Sequence, residues 1–175
     1  MKAIKSETLL ALFGTLIYFF LLLPIFLVWI PNKILSSPEY AYSFNAGMLK
    51  YIGIAPIVIG LAIYIWCSSS FVVHGKGTPI PFTPTKELVM TGIYRFVRNP
   101  LYIACIFVLV GESLLYQSVG ILIYCLVMFA IFNIHVFMEE KLLADQFGET
   151  YEQYRKSVPR WIPRIKPYRE NDQDG

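Results

Sequence analysis

Long apolar runs constrain this chain more than any other feature. Residues 9–30 form one run, 51–73 a second, 100–116 a third and 119–147 a fourth. A bilayer core of roughly 30 Å is crossed by about 20 apolar helical residues, and in lipid every backbone polar group must be satisfied within its own segment. Runs of this length with few charges therefore predict an all-α fold, an integral membrane helical bundle. The composition agrees: 56% of residues are hydrophobic and 15% are charged, against about 25% charged in ordinary soluble domains.

The first run has no small-residue cleavage site and reads as a retained span, with Pro24 as a kink. Residues 31–50 form a polar connection with the turn formers Pro31, Asn32, Pro38 and Asn45. The second run carries Gly53, Pro56 and Gly60, and small residues there let another helix approach closely. Gln117 and Ser118 mark a tight turn between the third and fourth runs. The fourth would be about 43 Å long at 1.5 Å per residue, so its last turns must leave the hydrocarbon, with Gly148 as its C-terminal cap. A further helix is expected over 149–158. Its Tyr151, Tyr154 and Val158 share one face, opposite Glu152, Arg155 and Lys156, and Pro159 ends it.

Trp161 and Tyr168 lie among Arg160, Arg164, Lys166 and Arg169 and resemble interfacial anchors. Residues 170–175 read as a tail. The chain is expected to be a single membrane domain over 1–175. Residues 9–73 would form an N-terminal helical hairpin, and 74–168 the region that binds and reacts. Basic residues set the orientation. Lys2, Lys5, the 74–99 loop and the tail fall on one side, so about four transmembrane helices are expected, plus a cytoplasmic C-terminal helix. Both termini and the active site would then be cytoplasmic.

Cys67, Cys105 and Cys125 lie in apolar runs without metal-type spacing and read as small buried hydrophobes. The two histidines do not make a metal site. A net charge of +3 carries no basic stripe suited to nucleic acid, so the expected surroundings are membrane lipids.

Chemistry concentrates at one boundary. The 74–99 loop is rich in Gly and Pro, and a loop of that length in a small bundle is usually functional or disordered. Ile80, Phe82, Leu88, Val89 and Met90 argue against disorder. It ends in Tyr94, Arg98 and Asn99 before Pro100 starts a helix. Proline suits a first helical position and pushes Asn99 into the role of N-cap. The helix start would present free N–H groups and partial positive charge, an anion site beside Arg98. Glu139 and Glu140 stand where the fourth helix leaves the membrane. His135 shares a helix face with Glu139.

A carboxylate at that depth needs a partner, and Arg98 is the candidate. Two readings stay open: a salt bridge that orients two helices, or one wall of a polar pocket open sideways to lipid. His135 reads either as a packing histidine or as a general base, since an imidazole's ordinary pKa is near 6.5. Glu112 reads as a residue near the far interface, His74 as a loop anchor and Arg95 as a surface cation near lipid phosphates.

In sequence order, Leu88-Val89-x2-Gly92-x-Tyr94-x3-Arg98-Asn99-Pro100-Leu101-Tyr102, then Glu139-Glu140, then Phe147-Gly148-x2-Tyr151-x2-Tyr154-x3-Val158-Pro159 resembles the isoprenylcysteine carboxyl methyltransferase and phospholipid methyltransferase superfamily. The resemblance covers about half of the chain. It implies a membrane-embedded methyltransferase that moves a methyl group from S-adenosyl-L-methionine to a lipophilic acceptor, a small molecule or a lipid-anchored substrate. Matched residue by residue, it implies that Lys86, Glu87, Leu88, Val89, Tyr94, Asn99, Pro100, Leu101, Tyr102 and Glu139 line the cofactor. It also implies that Arg98 and His135 serve catalysis, with His135 on the substrate.

Two departures stand out. The eukaryotic enzymes carry His-Pro where this chain has Asn99-Pro100, so that position cannot titrate. The arginine that contacts substrate in the prenylcysteine enzymes falls on His135, which suits a carboxylate less well. A sterol-reductase-like enzyme using NADPH and a non-catalytic membrane subunit are the competing readings; the chain is short for the first. No GxGxxG after a strand suggests a nucleotide-binding Rossmann unit.

Overall fold

The computed structural model describes residues 24–40, 42–74 and 88–169, and among these it is all-helical, with only an isolated bridge between Ser43 and Ser118. Five α-helices are numbered in chain order: α1 (Ile30–Ser36), α2 (Ile54–His74), α3 (Pro100–Leu115), α4 (Val119–Phe147) and α5 (Glu149–Ser157). Two segments are long and apolar enough to cross a membrane: the 21 residues Gly47–Cys67 and the 29 residues of α4. At 16 residues, α3 is apolar but shorter.

Small residues let α2 and α3 pack backbone against backbone. A Cβ added to Gly53 would sit 2.5 Å from the carbonyl oxygen of Gly111, and one added to Gly111 would sit 2.5 Å from that of Gly53. Two turns further on, a Cβ on Gly60 would come 2.7 Å from the carbonyl of Ala104. The pairs 53/111 and 60/104 define an antiparallel register. Such close approach is how helices gain packing energy where water supplies no hydrophobic drive. The same face runs on into Cys67 and Val97, both buried.

The entry into α1 shows how a proline is accommodated. Residues Ile25–Trp29 form a π-helical turn in which the Ile30 N–H bonds the Ile25 carbonyl. That widened ring would pair the Phe26 carbonyl with the nitrogen of Pro31, which has no hydrogen. Tyr124 of α4 supplies the missing donor: its hydroxyl donates to the Phe26 carbonyl at 3.2 Å. Helix therefore continues past Pro31 to Ser36, where the sequence suggested a polar connection. Residues 9–23 of the first expected span lie outside the described residues.

The turn between α3 and α4 forms at Gln117 and Ser118 as expected. Gln117 takes φ +53°. Its side-chain oxygen accepts from Ala46 N–H at 2.7 Å, while its carbonyl accepts from Phe44 N–H at 3.0 Å. Ser118 caps α4 by accepting from Ile121 N–H at 3.2 Å. The expected length of α4 holds to the residue, and Gly148 at φ +53° turns the chain directly into α5.

α5 lays Tyr151, Tyr154 and Val158 into a buried cluster completed by Tyr168, with Leu88, Met90 and Phe147 packed around it. Tyr168 is thus a core residue where the sequence suggested an interfacial anchor. The physical reason is the path of the chain after α5. Residues 158–168 double back along 95–99 as a strap. Arg98 N–H donates to the Pro159 carbonyl (3.0 Å), Arg164 N–H to Phe96 (2.9 Å) and Tyr168 N–H to Arg95 (2.9 Å). Arg95 is drawn in as well, donating Nε to the Tyr168 carbonyl at 2.7 Å. It pins the strap instead of standing free at the lipid surface.

The three cysteines are buried and unbridged, as their apolar setting implied.

A Gly111→Val variant tests the helix register. Overpacking of this kind costs about 1–3 kcal/mol, so the thermal unfolding midpoint in detergent should fall by several degrees. A Leu49→Ala change on the exposed surface should leave it in place. An unchanged midpoint for Gly111→Val would contradict the backbone contact.

Candidate active site

Adjacent carboxylates at the end of α4 do different work because successive helical residues point about 100° apart. Glu140 turns inward, and its side chain is 6% exposed. Arg98 reaches it from the start of α3, Nη1 to Oε1 at 3.0 Å, with its own side chain 10% exposed. Arg160 of the strap reaches the same carboxylate with two donors, Nε at 3.0 Å to Oε1 and Nη2 to Oε2. This forked pairing is the geometry arginine offers a carboxylate. One buried anion thus ties the α3 start, the α4 end and the strap together. The sequence placed Arg98 opposite a carboxylate of this pair, and Glu139 headed that reading; the partner is Glu140.

Glu139 belongs to a second group. The Tyr102 hydroxyl donates to Glu139 Oε2 at 3.2 Å and lies 2.9 Å from His135 Nδ1. His135 Nδ1 is 3.8 Å from Glu139 Oε2 along the helix face. Tyr102 is steadied by Phe132, ring centroids 5.0 Å apart. Tyr94 stands near enough for the Glu139 charge to act on its phenol, and it hydrogen-bonds the Cys67 thiol. Burial first, then the Cys67 and Glu139 charges, push the Tyr94 phenol well above its ordinary value of 10. It remains a neutral donor. Its carbonyl accepts from the Tyr154 hydroxyl at 2.7 Å, which locks the loop onto α5.

Of the residues singled out in the sequence, Tyr94, Tyr102, His135 and Glu139 converge, with Arg98 one turn before Tyr102. Pro100 and Leu101 are buried at the start of α3. Asn99 occupies the N-cap position of α3, but its side chain makes no capping bond. Its Nδ2 donates instead to the Arg160 carbonyl at 3.3 Å. Leu88 packs on the tyrosine cluster of α5, and Val89 is half-buried next to it. Lys86, Glu87 and most of the Gly/Pro loop lie outside the described residues, as does the His74 side chain.

Four participants were named in the sequence without a part in the site. Glu140, Arg160, Tyr151 and Cys67 complete the surroundings. The Glu139–Glu140 doublet was the available signal, since two neighbouring carboxylates on one helix cannot face one partner. Arg98 Nη1 also donates to the Tyr151 hydroxyl at 3.5 Å. Trp161 Nε1 donates to Asn133 Oδ1 at 3.0 Å and its ring packs on Phe129 at 5.2 Å. The strap is therefore stapled to α4 at two heights.

Helical architecture, lipid-length segments and a carboxylate–tyrosine–histidine group beside a buried carboxylate shared by two arginines define a membrane-type helical protein with a polar site at one end. The phospholipid methyltransferase family profile matches residues 49–150, more than half of the chain. The chain belongs to that family. It is similar to the protein-S-isoprenylcysteine O-methyltransferase of Schizosaccharomyces pombe, with 43% identity over 45% of this chain and 34% of that one. It is similar to a probable protein-S-isoprenylcysteine O-methyltransferase of Oryza sativa subsp. indica, with 26% identity over 67% of this chain and 63% of the other. Methanethiol S-methyltransferase 2 of Bradyrhizobium diazoefficiens is 32% identical over 46% of this chain and 30% of that protein. The chain thus spans about a third of the yeast and bacterial relatives and under two thirds of the rice one.

Two measurements probe the site as built. Removing one partner of a buried ion pair costs about 3–5 kcal/mol because a buried charge is left uncompensated. Glu140→Ala should therefore lower stability by that order in detergent denaturation, and Arg155→Ala, at an exposed pair with Glu152, by almost nothing.

The Tyr151 phenol is raised to about 12, chiefly by burial, with Glu140 adding and Arg98 opposing. The fold therefore favours the neutral phenol. The stability this gives is complete below pH 10, the ordinary phenol value, and is lost as pH climbs from 10 towards 12. A Tyr151→Phe protein should show a shallower fall of its melting temperature across that window.

Proposed function

We propose that this protein is a membrane-embedded methyltransferase that moves a methyl group from S-adenosyl-L-methionine to a lipophilic acceptor. One observation carries the reading. At a single end of the bundle, a net-positive cluster around a buried carboxylate lies one helical turn from a second carboxylate flanked by tyrosine and histidine. Two arginines meet one carboxylate in that cluster, Arg98 and Arg160 on Glu140. One positive charge remains, and Arg98 Nε is a buried donor with no partner among the described residues. A buried donor of this kind is costly unless something accepts from it.

Those features fit the methyl donor. Its carboxylate would accept from Arg98 near the α3 start, where the helix end adds partial positive charge. Its ribose, amino and sulfonium end would lie towards Glu139, Tyr94 and Tyr102, since a carboxylate and aromatic rings suit cationic and hydroxyl groups. When bound, it supplies an already activated methyl group. What remains for the protein is to align donor and acceptor and keep water out. Tyr102 and Glu139 position, and the strap from Val158 to Tyr168 closes the site on its polar side. The names of the relatives support this reading, all of them methyltransferases.

The reading extends to topology. Four spans with the site and both termini on the cytoplasmic face would place the basic residues Arg95, Arg98, Arg160, Arg164 and Lys166 on one side, in line with the positive-inside rule. The acceptor would enter sideways, between helices.

Titration calorimetry of the detergent-purified protein with S-adenosylhomocysteine tests the assignment. Binding is expected in the wild type, and Glu139→Ala should weaken it at least about tenfold, the equivalent of one lost charged hydrogen bond. Arg155→Ala should bind like the wild type. Equal behaviour of the two variants would overturn the site.

A further inference from the structure

We infer that the strap is a bilayer-docking element: Trp161, Ile162 and Ile165 enter the acyl layer, and the cations beside them take the headgroups of anionic phospholipids. The inference needs the membrane setting of α4 and is independent of the methyl-transfer reading.

Helix length sets the depth. The turn between α3 and α4 marks one edge of the bilayer, because Tyr40, Tyr42 and Tyr116 stand exposed beside it, as tyrosines do at a membrane–water interface. The Tyr42 carbonyl accepts the Val119 N–H there at 2.9 Å. Glu140 follows Val119 by 21 positions (140 − 119), about 32 Å of helix, which is the far edge of a roughly 30 Å hydrocarbon core. Asn133 follows Val119 by 14 positions (133 − 119), about 21 Å, and so lies within that core. The Trp161 indole donates to Asn133 and its ring packs on Phe129, one turn deeper. The strap therefore crosses the boundary between two adjacent residues. Arg160 is held at the level of Glu140, while the Trp161 ring reaches towards the middle of the bilayer. An indole whose N–H is already satisfied by the protein enters hydrocarbon readily.

The rest of the strap matches that placement. Ile162 is 79% exposed and Ile165 95% exposed. Pro159, Pro163 and Pro167 carry no N–H, so less of this backbone needs a partner where water is scarce. Lys156, Lys166 and Arg169 are exposed and Arg164 is half-buried. No acidic residue occurs over 153–169, and Glu152 is paired with Arg155. Apolar tips flanked by cations suit an anionic leaflet, where isoleucine leaves water for acyl chains and lysine and arginine reach phosphates. An acidic peptide would use the cations and leave both isoleucines in water, which decides for lipid. Of the two anchors expected from sequence, Trp161 keeps that role. Tyr168 turned inward, and Ile162 and Ile165 take its place at the surface.

The test uses the full-length protein in nanodiscs of phosphatidylcholine and phosphatidylglycerol. The native cysteines are buried, so a fluorophore can be placed selectively on Ile162→Cys. Doxyl groups on the lipid acyl chains should quench it. They should leave bright a label on Asp145→Cys, an exposed position about 39 Å along α4 and clear of the core. Equal quenching at the two positions, or none at 162, would overturn the docking. Spin-labelled phosphatidylglycerol should associate with the wild type at least about fivefold more than spin-labelled phosphatidylcholine, the share of one basic residue at a charged surface. That preference should fade as salt screens it, and should fall towards parity in a Lys156→Gln/Lys166→Gln/Arg169→Gln variant. A preference that survives both salt and the triple variant would overturn the headgroup assignment. Displacement of the spin-labelled lipid by inorganic phosphate at matched ionic strength would overturn it too, since the site would then take a free anion and not a lipid surface.

Discussion

The structure depends on one buried carboxylate. Glu140 holds arginines from two segments far apart in sequence, two turns before the end of the longest helix. A single carboxylate at this depth would be expensive, and so would either arginine. Together they are tolerated because each supplies the partner the others lack. Among the described residues the arrangement still leaves an excess of one positive charge and one unused donor on Arg98. That excess sets the cluster apart from a closed ion pair, which would have no further use for an anion.

Rigidity reaches the site through two different kinds of packing. On one side α3 is set by the backbone contacts of Gly53, Gly60 and Gly111, which permit no sliding without a clash. On the other, Tyr102 sits against Phe132 and between His135 and Glu139 of α4. The polar atoms of Tyr102 therefore inherit their place from apolar contacts at both ends. Precision of this sort matters most for a displacement reaction, where aligning two groups accounts for much of the acceleration.

The helices were legible in the sequence because their signals are local. Run length placed α3 and α4, Pro100 and Gly148 punctuated them, and the spacing of Tyr151, Tyr154 and Val158 gave the buried face of α5. The convergence of Tyr94, Tyr102, His135 and Glu139 was legible as a set of residues near one boundary. What the sequence could not convey was direction. Whether Arg98 meets Glu139 or Glu140 turns on a 100° rotation along α4. Whether Asn99 caps its helix or serves Arg160 depends on a strap that returns from 61 residues away. Tyr168 and Arg95 were misplaced for the same reason, as each looks superficial until the strap is laid over it. Pro31 failed as a helix stop because a hydroxyl from α4 covers the carbonyl it leaves behind, a long-range remedy for a local defect.

That strap also sets a schedule for biosynthesis. Arg98 leaves the ribosome before Glu140, the carboxylate that neutralises it. Glu140 follows Arg98 by 42 positions (140 − 98), which is roughly 2–8 s at translation rates of about 5–20 residues per second. During that interval α3 must wait in or beside the membrane with its arginine uncompensated, while α4 is still being made. The strap is made after the helices it covers, so the Arg98–Glu140 pair gains its second arginine and its backbone cover only once residues 158–168 can fold back.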